Sequence, residues 1–115
     1  MNSSSLLHDY ILSLPEVTEK PHFEKRSYRV KKKIVATVSE KEEFFVVKLT
    51  GLQQSVFCKW DESACHPVPN KWGLQGWTRV YFEKVDADFL KDIVKTSYLN
   101  VAPKKLADLI LTDEK

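Results

Sequence analysis

The chain has 115 residues, of which 43% are hydrophobic and 30% are charged, with three glycines and five prolines. This length and composition indicate one globular domain over residues 1–115, and they exclude a second domain and a low-complexity linker. The net charge of +2 conceals a basic segment, residues 20–33, which holds seven of the 18 basic residues against one acid and so carries +6, while the rest of the chain sums to −4.

The first element is predicted to be an amphipathic helix that ends at Pro15. Residues 1–5 are polar and uncharged and offer serine caps, and apolar side chains then recur at helical spacing. His8 and Asp9 interrupt the apolar pattern, so we expect neither a signal peptide nor a membrane span, and we expect a cytoplasmic protein with no membrane partner. The helical stripe consists of Leu6, Leu7, Tyr10, Ile11 and Leu14.

Three strand-like segments follow a connection that contains Pro15 and Pro21. Residues 26–30, 33–39 and 43–50 are rich in Val, Ile, Phe and Tyr and are separated by short polar turns, which predicts an antiparallel meander. Period-two alternation divides their side chains between two faces. The face predicted to pack against helices carries Tyr28, Val30, Ile34, Ala36, Val38, Phe45, Val47 and Leu49. The opposite face carries Arg29, Lys31, Val35, Thr37, Phe44, Val46 and Lys48.

The middle of the chain is less regular. Residues 51–60 fit either a short helix or a strand, and residues 61–70, with two prolines, predict an ordered loop. Residues 72–85 return to strand-like sequence with a turn at 73–76. In this segment Trp77, Arg79 and Tyr81 alternate with Val80 and Phe82.

Two helices are predicted at the C-terminal end. Asp86 or Asp88 caps the first, and Pro103 stands at the first position of the second. Their apolar stripes contain Phe89, Leu90, Ile93, Val94 and Tyr98, and then Leu106, Leu109 and Ile110. The order of elements predicts a two-layer α+β domain in which helices cover one face of an antiparallel sheet.

A series of short landmarks along the chain carries a family resemblance. The landmarks are Leu14-Pro15 with Val17, Pro21-His22-Phe23, Tyr28-Arg29-Val30 before Lys33-Ile34, Leu49, Trp77 with Val80, and Ser97-Tyr98 with Val101. Their order resembles the MmcQ/YjbR family over nearly the whole chain. Members resemble the frataxin-like (CyaY-like) α-β-α fold and are labelled DNA-binding through a proposed "double wing" surface, so the resemblance implies that fold and a DNA partner.

The chain departs from this family's pattern at two positions. Lys31-Lys32 replaces the usual glycine before the Lys-Ile step, and Glu24 stands where a glycine commonly follows the aromatic residue. Both departures concern the first hairpin, whose shape is therefore open and whose charge is higher than the family pattern implies.

No enzyme is predicted. The chain has no phosphate-binding loop, dinucleotide fingerprint, zinc-protease motif or nucleophile elbow. Cys58 and Cys65 are predicted to be free thiols in a chain that is not secreted, and Cys65-His66 lacks a second ligand pair at metal spacing. Frataxins are thought to bind iron through acids on the first helix, where this chain has only Asp9. We therefore expect no metal and no cofactor.

An aromatic and basic surface is the sharper prediction. If Val80 faces the helices, Trp77, Arg79 and Tyr81 share the opposite sheet face with basic residues of the meander. Bases stack on rings while Lys and Arg neutralise phosphates, so this surface suits nucleic acid, and single strands best. The principal predicted DNA contacts are Lys25, Arg26, Arg29, Lys31, Lys32 and Lys33, with Trp77, Arg79 and Tyr81 as secondary contacts.

Two alternatives stay open at this point. Residues 51–69 or a second subunit would cover the aromatic face, since large exposed apolar patches are rare in monomers. The protein would then be a module that binds a protein or a small ligand, or that forms a homodimer, and the basic segment would only aid solubility.

Overall fold

The chain folds into an antiparallel sheet and a layer of helices, in a computed structural model that describes residues 3–22, 25–39 and 43–113. Within those residues the sheet has six strands in the spatial order β1-β2-β3-β4-β6-β5. The strands are β1 Thr18–His22, β2 Lys25–Val30, β3 Lys33–Ser39, β4 Phe44–Lys48, β5 Cys65–Pro67 and β6 Trp77–Tyr81. The helices are α1 Ser3–Ser13, α2 Gly51–Trp60, α3 Lys71–Leu74, α4 Ala87–Val101 and α5 Lys104–Asp113, with a 3-10 turn at Phe82–Lys84. The predicted α+β class is confirmed.

The predicted meander is confirmed as β2, β3 and β4. The segments before and after it were predicted to be an irregular connection and a loop, and both predictions are wrong. The first segment contains the edge strand β1 and the second contains the edge strand β5. Each has a proline, Pro21 or Pro67, and neither shows apolar alternation. Proline cannot donate to a second ladder, but an edge strand needs only one, so both positions tolerate it. The prolines also hinder pairing with a further strand.

A β-bulge between β2 and β3 changes which side chains face the helices. The register steps from Tyr28 opposite Ala36 to Arg29 opposite Ile34, so Val35 is an extra residue in β3. The prediction of Ile34 on the helix face and Val35 on the opposite face is therefore wrong, because one extra residue reverses the alternation. Val35 is fully buried in the core, whereas Ile34 lies on the other side of the sheet.

The remaining prediction for the helix face is confirmed. The strand side chains that lie in the core are Tyr28, Val30, Ala36, Val38, Phe45, Val47 and Val80, followed by Leu49 after β4. The helices cover them with Leu7, Ile11, Leu90, Ile93, Val94 and Tyr98. Burial of this continuous apolar layer is the main favourable term in folding.

Residues 51–60, which fit either a helix or a strand, form α2. Thr50 caps this helix, because its side-chain oxygen accepts from the Gln53 backbone N–H (3.1 Å) and Gln53 Oε1 accepts from the Thr50 N–H (2.9 Å). This capping box is a sequence signal for a helix start, which the apolar pattern alone does not supply. Gln54 Nε2 donates to Thr78 Oγ1 of β6 (3.0 Å), so α2 is tied to the sheet.

Residues 71–74 form the helical turn α3, which overlaps the turn predicted at residues 73–76, and β6 begins after it at Trp77. Asn70 caps the turn through a hydrogen bond from the Trp72 N–H to its Oδ1 (2.9 Å). Position 73 requires glycine, because a Cβ there would lie 2.1 Å from the carbonyl oxygen of Val68. α3 therefore packs directly on the backbone that follows β5, and this contact fixes Trp72 beside the sheet.

The two predicted C-terminal helices are confirmed. Asp86, rather than Asp88, caps α4 and accepts from the Phe89 N–H (2.8 Å). α5 begins at Lys104, one residue after Pro103. Within the described ranges, no helix combines the length and the apolar character that crossing a membrane requires.

A buried serine on α4 joins the two central strands at the bulge. Ala36 pairs with Val47, so Val35 would stand opposite Lys48 in a regular ladder. Instead, Ser97 Oγ donates to the Val35 carbonyl (2.7 Å) and accepts from the Lys48 backbone N–H (2.8 Å). Since Ser97 is fully buried, this one hydroxyl satisfies a donor and an acceptor that water does not reach.

Two further side chains of α4 attach it to its neighbours. Tyr98 Oη donates to the Pro15 carbonyl at the end of α1 (2.8 Å), and Asn100 Nδ2 donates to the Lys48 carbonyl (3.0 Å). Ser97 and Asn100 thus bind both backbone groups of Lys48. The Ser-Tyr landmark of the sequence therefore has a structural role at the junction of α1, α4 and the sheet.

The β2–β3 turn adopts the left-handed backbone that usually demands glycine. Lys31 and Lys32 have φ angles of 48° and 72°, as a two-residue type I′ hairpin turn requires. A lysine in this conformation costs about 1–2 kcal/mol per residue, which glycine would avoid. The second departure from the family pattern, Glu24, lies outside the described residues.

Replacing Ser97 with alanine should lower the free energy of unfolding by about 1–3 kcal/mol, because a buried N–H and a buried carbonyl lose their partner. Thr96→Ala is the matched control, since Thr96 Oγ1 donates only within α4, to the Asp92 carbonyl (2.8 Å). It should change stability by less than about 0.5 kcal/mol. Urea denaturation of the three proteins measures both effects, and equal losses would contradict the proposed role of Ser97.

Replacing Lys32 with glycine should raise the free energy of unfolding by about 1 kcal/mol, because it relieves the left-handed strain in the turn. Lys33→Gly removes the same charge from a regular strand position and should instead lower stability by about 0.5–1 kcal/mol. Thermal melts of the two variants check the prediction. A similar change of the same sign in both would show that charge, and not the backbone, governs the effect.

Candidate functional site

The side of the sheet turned away from α1 and α4, here termed the open face, concentrates positive charge. Cross-strand partners share a face, and the pairs Val46↔Arg79 and Lys48↔Trp77 place these four side chains together. The described strand residues of the open face are Thr18, Lys20, Lys25, Ser27, Arg29, Ile34, Thr37, Ser39, Phe44, Val46, Lys48, His66, Trp77, Arg79 and Tyr81. Their charged members are all cations, with no Asp or Glu among them.

Many acidic side chains of the described residues belong to the helices instead. Two of them, Asp86 and Asp88, occupy the cap and first turn of α4, where the helix dipole favours a carboxylate. The others carried by the helices include Asp9, Asp92 and Asp108. The helical side therefore carries both signs of charge, with Lys91, Lys95, Lys104 and Lys105 beside these acids, whereas the described strand residues of the open face carry positive charge alone.

The predicted aromatic and basic residues of β6 form a cluster on the open face. The Arg79 guanidinium carbon lies 4.2 Å from the centre of the Phe44 ring, and Tyr81 meets the same ring edge-on at 5.8 Å. These neighbours leave Phe44 only 4% exposed. Arg79 Nε is also buried and, among the described residues, has no hydrogen-bond partner. Buried donors in folded proteins are normally hydrogen-bonded, so this unpaired donor is an exception.

A groove of about 350 Å³ opens beside this cluster. Its floor is formed by Ile34, Thr37, Phe44 and Val46 of the central strands, and its walls by Val68, Trp72 and Trp77. Lys25 and Arg79 contribute the cations. The groove is thus lined by rings and aliphatic groups with positive charge at its edge, and we keep the name groove for this set.

Lys48 lies next to the groove, against Trp77, and lines the neighbouring recess. Its Nζ donates to the Gln75 carbonyl and lies 5.2 Å from the centre of the Trp77 ring. Because α4 binds both backbone groups of Lys48, this cation is held in a defined position on the open face.

The six principal contacts predicted in the basic segment are spread over three surfaces. Lys25 and Arg29 lie on the open face, where Arg29 Nε donates to Ser27 Oγ (3.0 Å). Arg26 lies on the helical side, 3.6 Å from Glu19 Oε2. These residues therefore do not form a single cluster.

The other three lie at the hairpin turn. Lys31, predicted on a strand face, is instead a turn residue, and its Nζ lies 2.8 Å from Glu16 Oε1. Lys32 is exposed, and Lys33 lines a separate recess with Lys48 next to the start of α2. The turn therefore presents its positive charge at the end of the sheet where β2 passes into β3, beside the open face.

Three residues of this surface lie outside the predicted contacts. Alternation already placed Lys48 on the correct face, and Lys20 belongs to the basic segment, so the sequence carries a signal for both. The sequence carries no such signal for Trp72, because the position of Trp72 depends on the packing of Gly73 against Val68, which no local pattern encodes. Residues 51–60 leave the open face uncovered, because α2 lies on the other side and contacts Thr78.

The cysteine and histidine of β5 are separated by the sheet. Cys65 Sγ lies 3.3 Å from Cys58 Sγ in the buried layer, whereas His66 Nε2 lies 3.3 Å from Tyr81 Oη on the open face. Burial raises the pKa of both thiols, most strongly for Cys65. Protonated thiols are poor nucleophiles. Among the described residues, no three His, Cys, Asp or Glu side chains are placed to hold a metal ion.

Comparisons with known proteins support the family resemblance and the fold. A family model described as YjbR matches residues 12–100. Among solved structures, Deinococcus radiodurans protein DR2400, with the family-model domain DUF419, is similar with a TM-score of 0.75 and 19% identity. The similarity covers 86% of this chain and 78% of that one, and at this identity it concerns the fold alone. No match was found among curated proteins.

The buried thiols should make stability fall with rising pH. Because burial raises the pKa of Cys58 and Cys65 in the folded state, their contribution is fully present below the unfolded-state pKa of about 8.5 and is lost as pH rises towards the folded value. Urea denaturation between about pH 7 and pH 10 measures the decline, and the double variant Cys58→Ala/Cys65→Ala should show a shallower one. Rapid labelling of both native thiols at neutral pH would contradict the prediction.

Proposed function

The chain belongs to the YjbR family, and we propose that it is a non-enzymatic protein that binds DNA through the open face and the β2–β3 turn. One observation carries this proposal. Every charged residue among the described strand residues of the open face is a cation, while aromatic rings lie between these cations. A polyanion with aromatic bases complements such a surface in both charge and chemistry.

The cations of the open face act as phosphate contacts. Lys20, Lys25 and Arg29 lie on β1 and β2, and Lys48 and Arg79 lie on β4 and β6, so positive charge extends across the sheet. Each neutralised phosphate releases counterions, and four contacts give a log-log salt slope of about −3.6 on duplex DNA. Contacts to phosphate carry no sequence information, so binding is largely independent of sequence.

Arg26 and Lys31 contribute less than the other predicted contacts. Each already has a carboxylate neighbour, Glu19 or Glu16, and all four side chains are between 31% and 55% exposed. Surface ion pairs of this kind are worth about 0–1 kcal/mol, so a phosphate competes with them at modest cost. Lys32 and Lys33 lie at the turn and extend the phosphate path beyond the sheet.

The alternative of a homodimer through the open face is disfavoured by the same charges. An isologous interface sets a surface against its own copy, so Lys25 and Arg29 of one copy would approach the cations of the other. Like charges across an interface cost several kcal/mol. A protein partner of this face would therefore need to be acidic. Light scattering distinguishes a dimer from a monomer. A stable dimer that buries Trp77 would favour a protein-binding or ligand-binding module over a DNA-binding protein.

Charge reversal on three surfaces tests the proposal. The double variants Lys20→Glu/Lys25→Glu on the open face, Lys32→Glu/Lys33→Glu at the turn and Lys104→Glu/Lys105→Glu on α5 change the net charge equally, and all six lysines are exposed. Fluorescence anisotropy of labelled DNA across a salt series should show a slope reduced by about 1.8 for the open-face variant. The turn variant should lose less affinity, and the α5 control should retain its slope.

The outcomes separate a binding face from a general charge effect. If all three double variants weaken binding equally, only net charge matters and the open face has no special role. If the wild-type protein does not bind DNA even at low salt, the proposal fails, and acidic protein partners of the open face become the next candidates.

A further inference from the structure

We propose that the groove on the open face holds an unpaired base, so that the protein prefers single-stranded to duplex nucleic acid. This inference rests on the proposed function, because it names the form of nucleic acid that the open face recognises. Four observations support it: the shape of the groove, its aromatic rings, the unpaired hydrogen-bond donor of Arg79 and the positions of two lysines.

The shape of the groove admits a planar ring that leaves its stack. Its volume of about 350 Å³ lies within the range of small-ligand sites. Val68 and Trp72 form a wall beside the strands, so the floor at Phe44 and Val46 lies below the outer surface. Bases of a duplex are paired and stacked inside the helix, and only an unstacked base reaches such a floor.

The rings of the groove supply the stacking surface. Trp72 is 52% exposed, and it lines the same groove as Trp77. Stacking of a base on an aromatic side chain tolerates any sequence, because every base has a π-face. The two tryptophans therefore fit a base without selecting which one.

Arg79 places hydrogen-bond donors in the groove, which favours a polar occupant over an apolar one. Its guanidinium lies over Phe44, and its buried Nε has no hydrogen-bond partner among the described residues. A base carbonyl, a ring nitrogen or a phosphate oxygen in the groove accepts from the other N–H groups of this guanidinium, whereas a hydrocarbon group offers them no acceptor.

Two lysines lie near opposite ends of β4, Lys25 lining the groove and Lys48 next to it. Lys25 lies one residue before Arg26, which pairs with Val38, so it is near the end of the sheet where Phe44 begins β4. Lys48 ends β4 and lies against Trp77. A strand that inserts a base between them brings a phosphate to each end, where a cation neutralises it.

Three probes distinguish base recognition from attraction to phosphates. They are a labelled oligothymidine of about 12 nucleotides, an abasic strand of the same length and charge, and a duplex of the same length. Wild-type protein should bind oligothymidine at least about tenfold more tightly than the abasic strand. The duplex should bind more weakly than oligothymidine as well.

Tryptophan substitutions then locate the effect. Trp72→Ala should reduce affinity for oligothymidine about tenfold, to that for the abasic strand, with an unchanged salt slope. Trp60→Ala is the matched control, since Trp60 is 58% exposed and stacks on Phe89 at the helical side. Its affinity should not change. Thermal melts confirm that both variants remain folded.

The possible results bear differently on the two proposals. Equal affinity for oligothymidine and the abasic strand, or no effect of Trp72→Ala, overturns the base-binding groove. If the charge-reversal variant of the open face still weakens binding in that case, the proposed DNA-binding function stands. No binding of any probe at low salt overturns both.

Discussion

The two hydrogen bonds of the Ser97 hydroxyl determine the geometry of both faces of the sheet. They join the Val35 carbonyl to the Lys48 N–H at the bulge, where a direct ladder bond would otherwise run. The bulge turns Val35 into the core and Ile34 outward, so it sets the composition of each face. With Asn100 binding the carbonyl of Lys48, the same helix fixes the end of β4, where Lys48 lies against Trp77.

The positive charge of the open face follows from how the two layers are built. Carboxylates at helix starts such as Asp86 satisfy exposed backbone N–H groups and the helix dipole, so acids collect in the helical layer. Period-two alternation turns Lys25 and Arg79 away from that layer and towards the open face. Local rules of helix capping and strand pleating therefore account for the single sign of charge on the described strand residues of the open face.

The sequence was most informative where structure depends on local periodicity. The meander, α1 and α4, and the position of Trp77 and Arg79 on one face follow from alternation and helical spacing. The positions of Ile34 and Val35 do not, because a bulge is set by pairing with β2 and by Ser97, far away in the chain. Edge strands with prolines give no apolar pattern, and the groove needs the contact of α3 with the backbone after β5.

The open face contains an unsatisfied polar group that its role in folding does not explain. A well-packed sheet surface would pair every buried donor, yet Arg79 Nε has no partner among the described residues. On the helical side, by contrast, Ser97 and Tyr98 are satisfied at 2.7 to 2.8 Å. Among the described residues, the buried side-chain donor without a partner lies on the open face, and departures from polar satisfaction are expected at functional sites. The contrast between the two faces is therefore an independent reason to assign function to the open one.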